Sequence, residues 1–494
     1  MMQMPRGFIK SIFPGFRDLI FVALFLSVLG AGRQMLGIDS DLGRHLALGS
    51  FILDQRIIPT RDLFSHTLPD QPRPPYEWLS QLIFALAYRI LDLDGVILLA
   101  AIIIGITFTL IYGHAIRRSQ YPLSVLILTL IAAAASSVHW LPRPHIITIL
   151  FLAIWVEKLD RVSRAENTSI LSFPLTMLLW ANLHGGFILG MLAWAAYLAG
   201  WFWDRRRMAH TNGIGRNLIS IGALSGTASI VTPDFWHNWE AVFSNRSSYI
   251  LSRTAETMRP NLLDPPVLPF TLLLVLVVLA FLINRRRLAA SHVFLLAGIG
   301  ILSILMARNI PLFAIACTPI LAQLTSGPLS RFQAWTRIEE RFAGFGLPAS
   351  NHMIPLVAII VAGACFANHQ SRTGRSIYQF DPRVFPVDAV NWLASNPQQG
   401  AMFNEFNWGG YLLFRLWPQH RVFLDSQSDF YGEPLMRDYE ALMTASAHWG
   451  ELLDHYQIRW AVIPADAPLS RALRLDPGWS AAYEDQVAII LIRK

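Results

Sequence analysis

The sequence predicts an α-helical polytopic membrane protein of about eleven transmembrane helices, followed by a C-terminal soluble α/β domain. Three observations lead there. Hydrophobic residues fill 53% of the 494 positions and charged residues only 15%, a balance too apolar for a soluble chain of this length. The apolar residues gather into runs separated by short loops, many of them basic. Beyond Ala367 the pattern changes to short alternating and amphipathic stretches with turn residues between them. The expected division is 1–368 for the membrane part, with an outer loop at 37–94, and 369–494 for the α/β domain.

The first run, Asp18 to Leu36, follows the basic residues Arg6, Lys10 and Arg17. It reads as a retained helix rather than a cleaved signal peptide, because Leu29 to Gly32 make a poor cleavage site. The following runs are Gly95 to His114, Pro122 to Val138, Pro144 to Glu157, Leu171 to Leu183 and Phe187 to Trp203. After them come Gly215 to Val231, Val267 to Ile283, His292 to Ala307, Ile310 to Leu324 and Ile354 to Ala367. The stretch from Leu171 to Trp203 is divided at Asn182-Leu183-His184-Gly185-Gly186, since one long helix there would invert every later segment.

The basic loops test this count. With a cytoplasmic N-terminus, Arg117 and Arg118, then Lys158, Arg161 and Arg164, then Arg205 to Arg207, Arg285 to Arg287, and Arg331, Arg337 and Arg341 all fall inside. The formal charge of +7 is therefore a signature of topology, and nucleic acid is not an expected partner. Cys317 and Cys365 both lie in apolar runs, which excludes a disulfide framework or a cysteine metal site. The odd count of spans leaves the C-terminal domain on the outer, periplasmic side.

The outer loop 37–94 concentrates ionisable residues: Asp39, Asp41, His45, Asp54, Asp62, His66 and Glu77. Carboxylates beside a bilayer are costly unless hydrated, paired or used, so this loop is the expected site. Asp41 to Leu53 reads as a surface helix with Leu42, Leu46 and Leu53 on one face and Asp41 and His45 on another. Pro59 and Pro69 to Pro75 break the chain, and Glu77 to Leu91 resumes an amphipathic helix whose Trp78 and Tyr88 suit the membrane interface. In the tail, helices are expected over Pro386 to Ser395, Trp408 to Leu416, Glu433 to Ala445 and His448 to Tyr456. Arg421 to Asp425 and Arg459 to Ile463 read as strands, and Ala481 to Glu484 with Val487 to Ile492 as a closing hairpin.

This topology brings distant residues to one face: Asp39 and Asp41, Arg143 and His145, His184 and Arg308, with Asp62, Glu77, Arg253 and Glu256 as loop candidates. Acids for proton transfer meeting cations for a phosphate suit chemistry on a lipid-phosphate substrate. Each residue also has a structural reading. Asp62 before Phe64-Ser65 fits a cap, and Arg143 and Arg308 fit snorkelling anchors at helix ends. His184, beside two glycines, stands out from that background. The tail segments Asn404 to Tyr411 and Phe423 to Asp429 are read as strand–turn–helix junctions rather than a sugar-binding edge.

Asp39-Ser40-Asp41 in the first loop, then Pro59, Asp62-Leu63-Phe64-Ser65 and Glu77-Trp78-Leu79, resemble the GT-C superfamily of polytopic glycosyltransferases. The likeness is greatest to bacterial relatives of the protein O-mannosyltransferases and aminoarabinose transferases. Arg143-Pro144, Asn182 to Gly186, Arg308-Asn309-Ile310-Pro311 and Trp408-Gly409-Gly410-Tyr411 are similar to a bacterial subfamily grouped there. The resemblance implies a polyprenyl-phosphate sugar donor, a glycan or lipid acceptor, and transfer at the outer face of the bacterial inner membrane. It makes Asp39 or Asp41 the general base; the chemistry of a phosphate leaving group then expects Arg143 and Arg308, with His184, to hold the phosphate, His45, Asp62, Glu77 and His145 to join them in binding substrate, and direct displacement to invert the sugar carbon. It quotes no metal-binding triad, so a divalent metal stays open. The rival functions are a polymerase or ligase of lipid-linked glycans, a transporter or flippase, and a non-catalytic scaffold.

Overall fold

The computed structural model describes residues 14–205, 212–243, 247–252, 255–285, 288–346 and 353–494. Arg253 and the basic residues Arg6, Lys10, Arg206, Arg207, Arg286 and Arg287 lie outside them. Every predicted apolar run contains a helix: Phe16–Gly37, Trp78–Ile116, Pro122–Ser136, His145–Ser163, Ser172–Leu183, Phe187–Asp204, Asn212–Ser229, Leu268–Ile283, Ala290–Leu305, Ile310–Leu329 and Met353–Thr373. Six helices among the described residues are long and apolar enough to cross a membrane, and Leu268–Ile283 and Ala290–Leu305 are shorter apolar helices.

The division at His184 holds. The Ser172–Leu183 helix stops there, His184 is extended at φ −163°, and a new helix begins at Phe187. Lys158 Nζ reaches the Ser172 carbonyl at 2.7 Å, and the Ala290 amide meets Asp204 at 2.9 Å. The far ends of both helices thus share the end of the bundle that carries the basic loops. The same end holds a buried knot, in which Asp160 takes His114 Nε2 at 2.8 Å, His292 Nε2 at 3.4 Å and the Arg118 guanidinium. It ties the last turns of Trp78–Ile116 and His145–Ser163 to the first turn of Ala290–Leu305.

At the opposite end the outer loop is structured as expected in outline. The Leu42–Gln55 helix lies against the first turns of Trp78–Ile116, which kinks at Leu91 and Asp92 where its surface part turns into the bundle. Leu42–Gln55 is not an open surface helix, because the C-terminal unit covers it. Trp78 also has an internal partner: its indole donates to Asn182 Oδ1 at 2.9 Å and ties the loop to the His184 turn.

The C-terminal unit has a four-stranded sheet, β1 (Ala401–Asn404), β2 (Ile458–Pro464), β3 (Trp479–Glu484) and β4 (Ala488–Arg493), in the order β1-β2-β4-β3. β1 and β2 are parallel and the other pairs antiparallel. The predicted hairpin and the β2 strand are present, while β1 and the Pro468–Leu475 helix add to the expectation. Arg421 to Asp425 is not a strand of this sheet. Its backbone pairs with the outer loop, His66 N donating to the Val422 carbonyl at 3.1 Å and Val422 N to the Phe64 carbonyl at 3.0 Å.

The Trp408-Gly409-Gly410-Tyr411 segment is a close-packing device. A Cβ on Gly410 would stand 2.4 Å from the Ser40 carbonyl oxygen, and one on Gly43 would stand 2.4 Å from the Gly410 carbonyl oxygen. Only bare backbone fits at this crossing. Gly410→Ala is expected to lower the thermal unfolding temperature and to speed protease cleavage between the C-terminal unit and the bundle. Wild-type cleavage rates in that variant would show that the crossing yields without cost.

Candidate active site

The site starts where the chain leaves the Phe16–Gly37 helix. Asp39 Oδ1 accepts the backbone N–H of Asp41 at 2.9 Å and of Leu42 at 3.0 Å, a turn that starts the next helix. Between Pro142 and Pro144, Arg143 reaches back across the bundle end. Its Nε meets Asp39 Oδ1 at 2.7 Å, and its Nη1 meets Asp41 Oδ2 at 2.5 Å and Glu256 Oε1 at 2.9 Å. Burial alone would lower the Arg143 pKa, but the three carboxylates outweigh it and hold it above its ordinary value. The other oxygen of Asp41 accepts the Ser426 hydroxyl of the C-terminal unit. Asp39 is fully buried, and desolvation pushes its carboxyl pKa up against the pull of Arg143.

A second cluster forms around Glu77. Its Oε1 lies 3.5 Å from His184 Nε2 and its Oε2 lies 3.8 Å from His45 Nδ1. Burial raises the Glu77 pKa to about 7, with Arg44 opposing and Asp41 assisting. Burial drives the His184 imidazole the other way, to about 3, so it is neutral near neutral pH. His45 is also held neutral by burial and by Arg44.

These groups line one cavity of about 610 Å³ at the outer-loop end of the bundle. Asp41, His45, Glu77, Arg143, His145, His184 and Arg308 all face it, so residues far apart in sequence converge as expected. Arg308 sits in the turn Ala307–Asn309, which the Ala307 amide fastens to the Met258 carbonyl at 3.0 Å. His145 Nε2 donates to the His139 backbone carbonyl at 2.8 Å, and the two imidazole rings lie tilted to each other with centres 4.2 Å apart. Asp39 and Asp62 do not line the cavity. Asp39 stands behind Arg143. Asp62, expected among the binding residues, is buried with Arg73, whose Nη1 lies 2.6 Å from Asp62 Oδ1 and whose Nη2 lies 2.8 Å from Asp425 Oδ2. Both of its oxygens are engaged away from the cavity, Oδ2 accepting the Ser65 amide at 2.9 Å.

Residues with oxygen ligands for a divalent metal are present, but Asp39, Asp41 and Glu256 are turned onto one guanidinium. Among the described residues, no group of three or more His, Cys, Asp or Glu is arranged to hold a metal ion.

The C-terminal unit contributes more than the sequence suggested. Ser426, Gln427, Ser428 and Asp429 complete the cavity wall, so the segment Phe423 to Asp429 is both a junction before the Ser428–Met443 helix and part of the site. Gln427 Oε1 accepts from Arg73 Nη2 at 2.8 Å, while its amide nitrogen donates to the Tyr76 hydroxyl at 2.9 Å. Arg44, also on the cavity wall, was missed because it reads as an ordinary surface charge on an amphipathic helix. Its side chain is buried here.

No protein-family model matches the chain, and no curated protein matches it by sequence. Solved structures do match its fold. The Archaeoglobus fulgidus oligosaccharyltransferase tethered to an acceptor peptide superposes with a TM-score of 0.54 at 12% identity, over 95% of this chain and 74% of that one. ArnT from Cupriavidus metallidurans bound to undecaprenyl phosphate gives 0.50 at 13% identity, over 96% of this chain and 97% of that one. Both are GT-C membrane glycosyltransferases, and the fold of this chain is the GT-C fold.

Proposed function

We propose that this GT-C chain is a membrane glycosyltransferase that moves a sugar from a polyprenyl-phosphate donor to a glycan or lipid acceptor. The reaction takes place at the outer face of the bacterial inner membrane, with the N-terminus cytoplasmic and the 369–494 unit periplasmic. The observation that carries this reading is the meeting of Asp41, Arg143, Glu256 and Arg308 in one cavity at the end of the bundle away from the basic loops. An undecaprenyl phosphate bound to ArnT, a protein of the same fold, supports the donor class.

In this reading Asp41, which faces the cavity, takes the proton of the acceptor hydroxyl. The acceptor oxygen bonds to the anomeric carbon as the bond from that carbon to the phosphate oxygen breaks, and the electron pair leaves with the phosphate. Arg143 and Arg308 supply positive charge where the phosphate gathers negative charge. Asp39 keeps Arg143 in place. One displacement inverts the anomeric carbon. Charged groups at helix ends rather than in the middle of the bundle favour an enzyme over a transporter.

The test is turnover by the purified protein in liposomes supplied with radiolabelled polyprenyl-phosphate sugars. Release of polyprenyl phosphate together with transfer of label is the expected result. A deletion strain that accumulates unpolymerised lipid-linked glycans, with no donor turned over in vitro, would instead favour a polymerase or ligase.

A further inference from the structure

The reaction above leaves Glu77 without a task, although it lines the cavity between two histidines. Its surroundings are built. His184 Nδ1 lies 3.0 Å from the Gly186 amide, which can only donate, so Nδ1 accepts and the ring proton sits on Nε2, toward Glu77. The Thr148 hydroxyl, 2.7 Å from the same Nδ1, receives the Trp180 indole N–H at 2.9 Å and turns its own proton to the imidazole. A Cβ on Gly186 would stand 2.4 Å from Thr148 Oγ1 and 2.8 Å from His184 Nδ1, so the glycine is what lets the three groups close up.

We propose that Glu77, aimed by His184, is the proton donor to the departing phosphate of the lipid-linked sugar. The inference rests on the glycosyl-transfer reading. When the bond between the anomeric carbon and the phosphate oxygen breaks, its electron pair stays on that oxygen, and the phosphate changes from a singly charged diester to a doubly charged monoester. Transfer of the Glu77 proton returns it to the monoanion and leaves Glu77 ionised. The acceptor proton has meanwhile passed to Asp41. Turnover is completed when Asp41 releases a proton to solvent and Glu77 takes one up.

The pairing is matched in acidity. A phosphate monoester has a second pKa near about 6, and burial raises Glu77 to about 7. The charged and titratable groups around Glu77 are Arg44 and His45 from the Leu42–Gln55 helix, Asp41 before it, Arg143 and His145 at the head of His145–Ser163, His184, and Asp429 from the Ser428–Met443 helix. The arginines favour the carboxylate and the two aspartates the acid, and desolvation decides for the acid. Asp41 already has its task in this reading, since it takes the acceptor proton.

The experiment compares wild type with Glu77→Gln in liposomes across pH, on donors that depart as lipid monophosphate or as lipid diphosphate. Wild-type kcat/KM on the monophosphate donor is expected to fall as pH rises through about 7. Glu77→Gln is expected to lose about 10²–10⁴-fold and to lose that alkaline fall, and to lose far less on the diphosphate, whose departure needs no proton. Thr148→Val, which removes one of the two donors that orient His184, is expected to lower kcat with KM unchanged and to move the alkaline midpoint. An alkaline fall that persists in Glu77→Gln, an equal loss on both donors, or, if that variant does not fold, an unmoved midpoint in Thr148→Val overturns the assignment. Wild type that turns over neither donor removes the glycosyl-transfer reading and this inference with it.

Discussion

Asp41→Asn is expected to lower release of polyprenyl phosphate by about 10²–10⁴-fold while the protein remains folded. Asparagine is nearly isosteric and can still accept the Ser426 hydroxyl, but its amide takes no proton from an acceptor. Asp39 and Glu256 continue to hold Arg143, so the cavity keeps its shape. Asp39→Asn should behave differently. Asp39 is buried behind Arg143 and organises the turn through two backbone N–H groups, so its loss should appear first as lower thermal stability and only secondarily in turnover. A folded Asp39→Asn that loses more turnover than Asp41→Asn would move the base to Asp39.

The largest expected effect on stability lies at Arg73. Its guanidinium joins Asp62 of the outer loop to Asp425 of the C-terminal unit, both with fully buried side chains, and also donates to Gln427. Burial would lower the Arg73 pKa, yet Asp425 and Asp62 hold it above its ordinary value. Arg73→Met leaves two carboxylates buried without their cation, a change that typically costs about 3–5 kcal/mol. The variant is expected to unfold at lower temperature in a thermal-shift assay and to shed its C-terminal unit to protease. It should also lose turnover, because Ser426 to Asp429 leave the cavity wall with that unit. Adding Asp62→Asn and Asp425→Asn should restore part of the stability, since the uncompensated charges are then gone. No recovery in the triple variant would point to packing by the arginine stem instead.

The membrane part was legible because a long apolar run has few alternatives to a buried or spanning helix, and basic residues marked one set of loops. Even the break at His184 could be read from Asn182 and the two glycines. The convergence of Asp41, Arg143, His184 and Arg308 followed from the alternation of helices, which places loop residues before any side chain is seen. What sequence could not supply was depth and pairing over distance. Asp39 and Asp41 look alike in a tripeptide, and only the path of Arg143 separates the buried one from the one that faces the cavity. Arg421 to Asp425 has the residues of a strand, yet its partners are in the outer loop hundreds of positions earlier. Ser426 read as a junction because its partner, Asp41, is 385 residues away. The four-residue β1 was too short to leave a period.

The crossing of Gly410 over Ser40 also sets a clock on biosynthesis. The acids and cations of the bundle are synthesised first, but Asp41 receives its second anchor only when Ser426 has been made and docked. A nascent chain that has reached only Thr373 holds most of the cavity's groups without its far wall. The cavity wall is therefore complete only once Ser426 to Asp429 have been made and have docked.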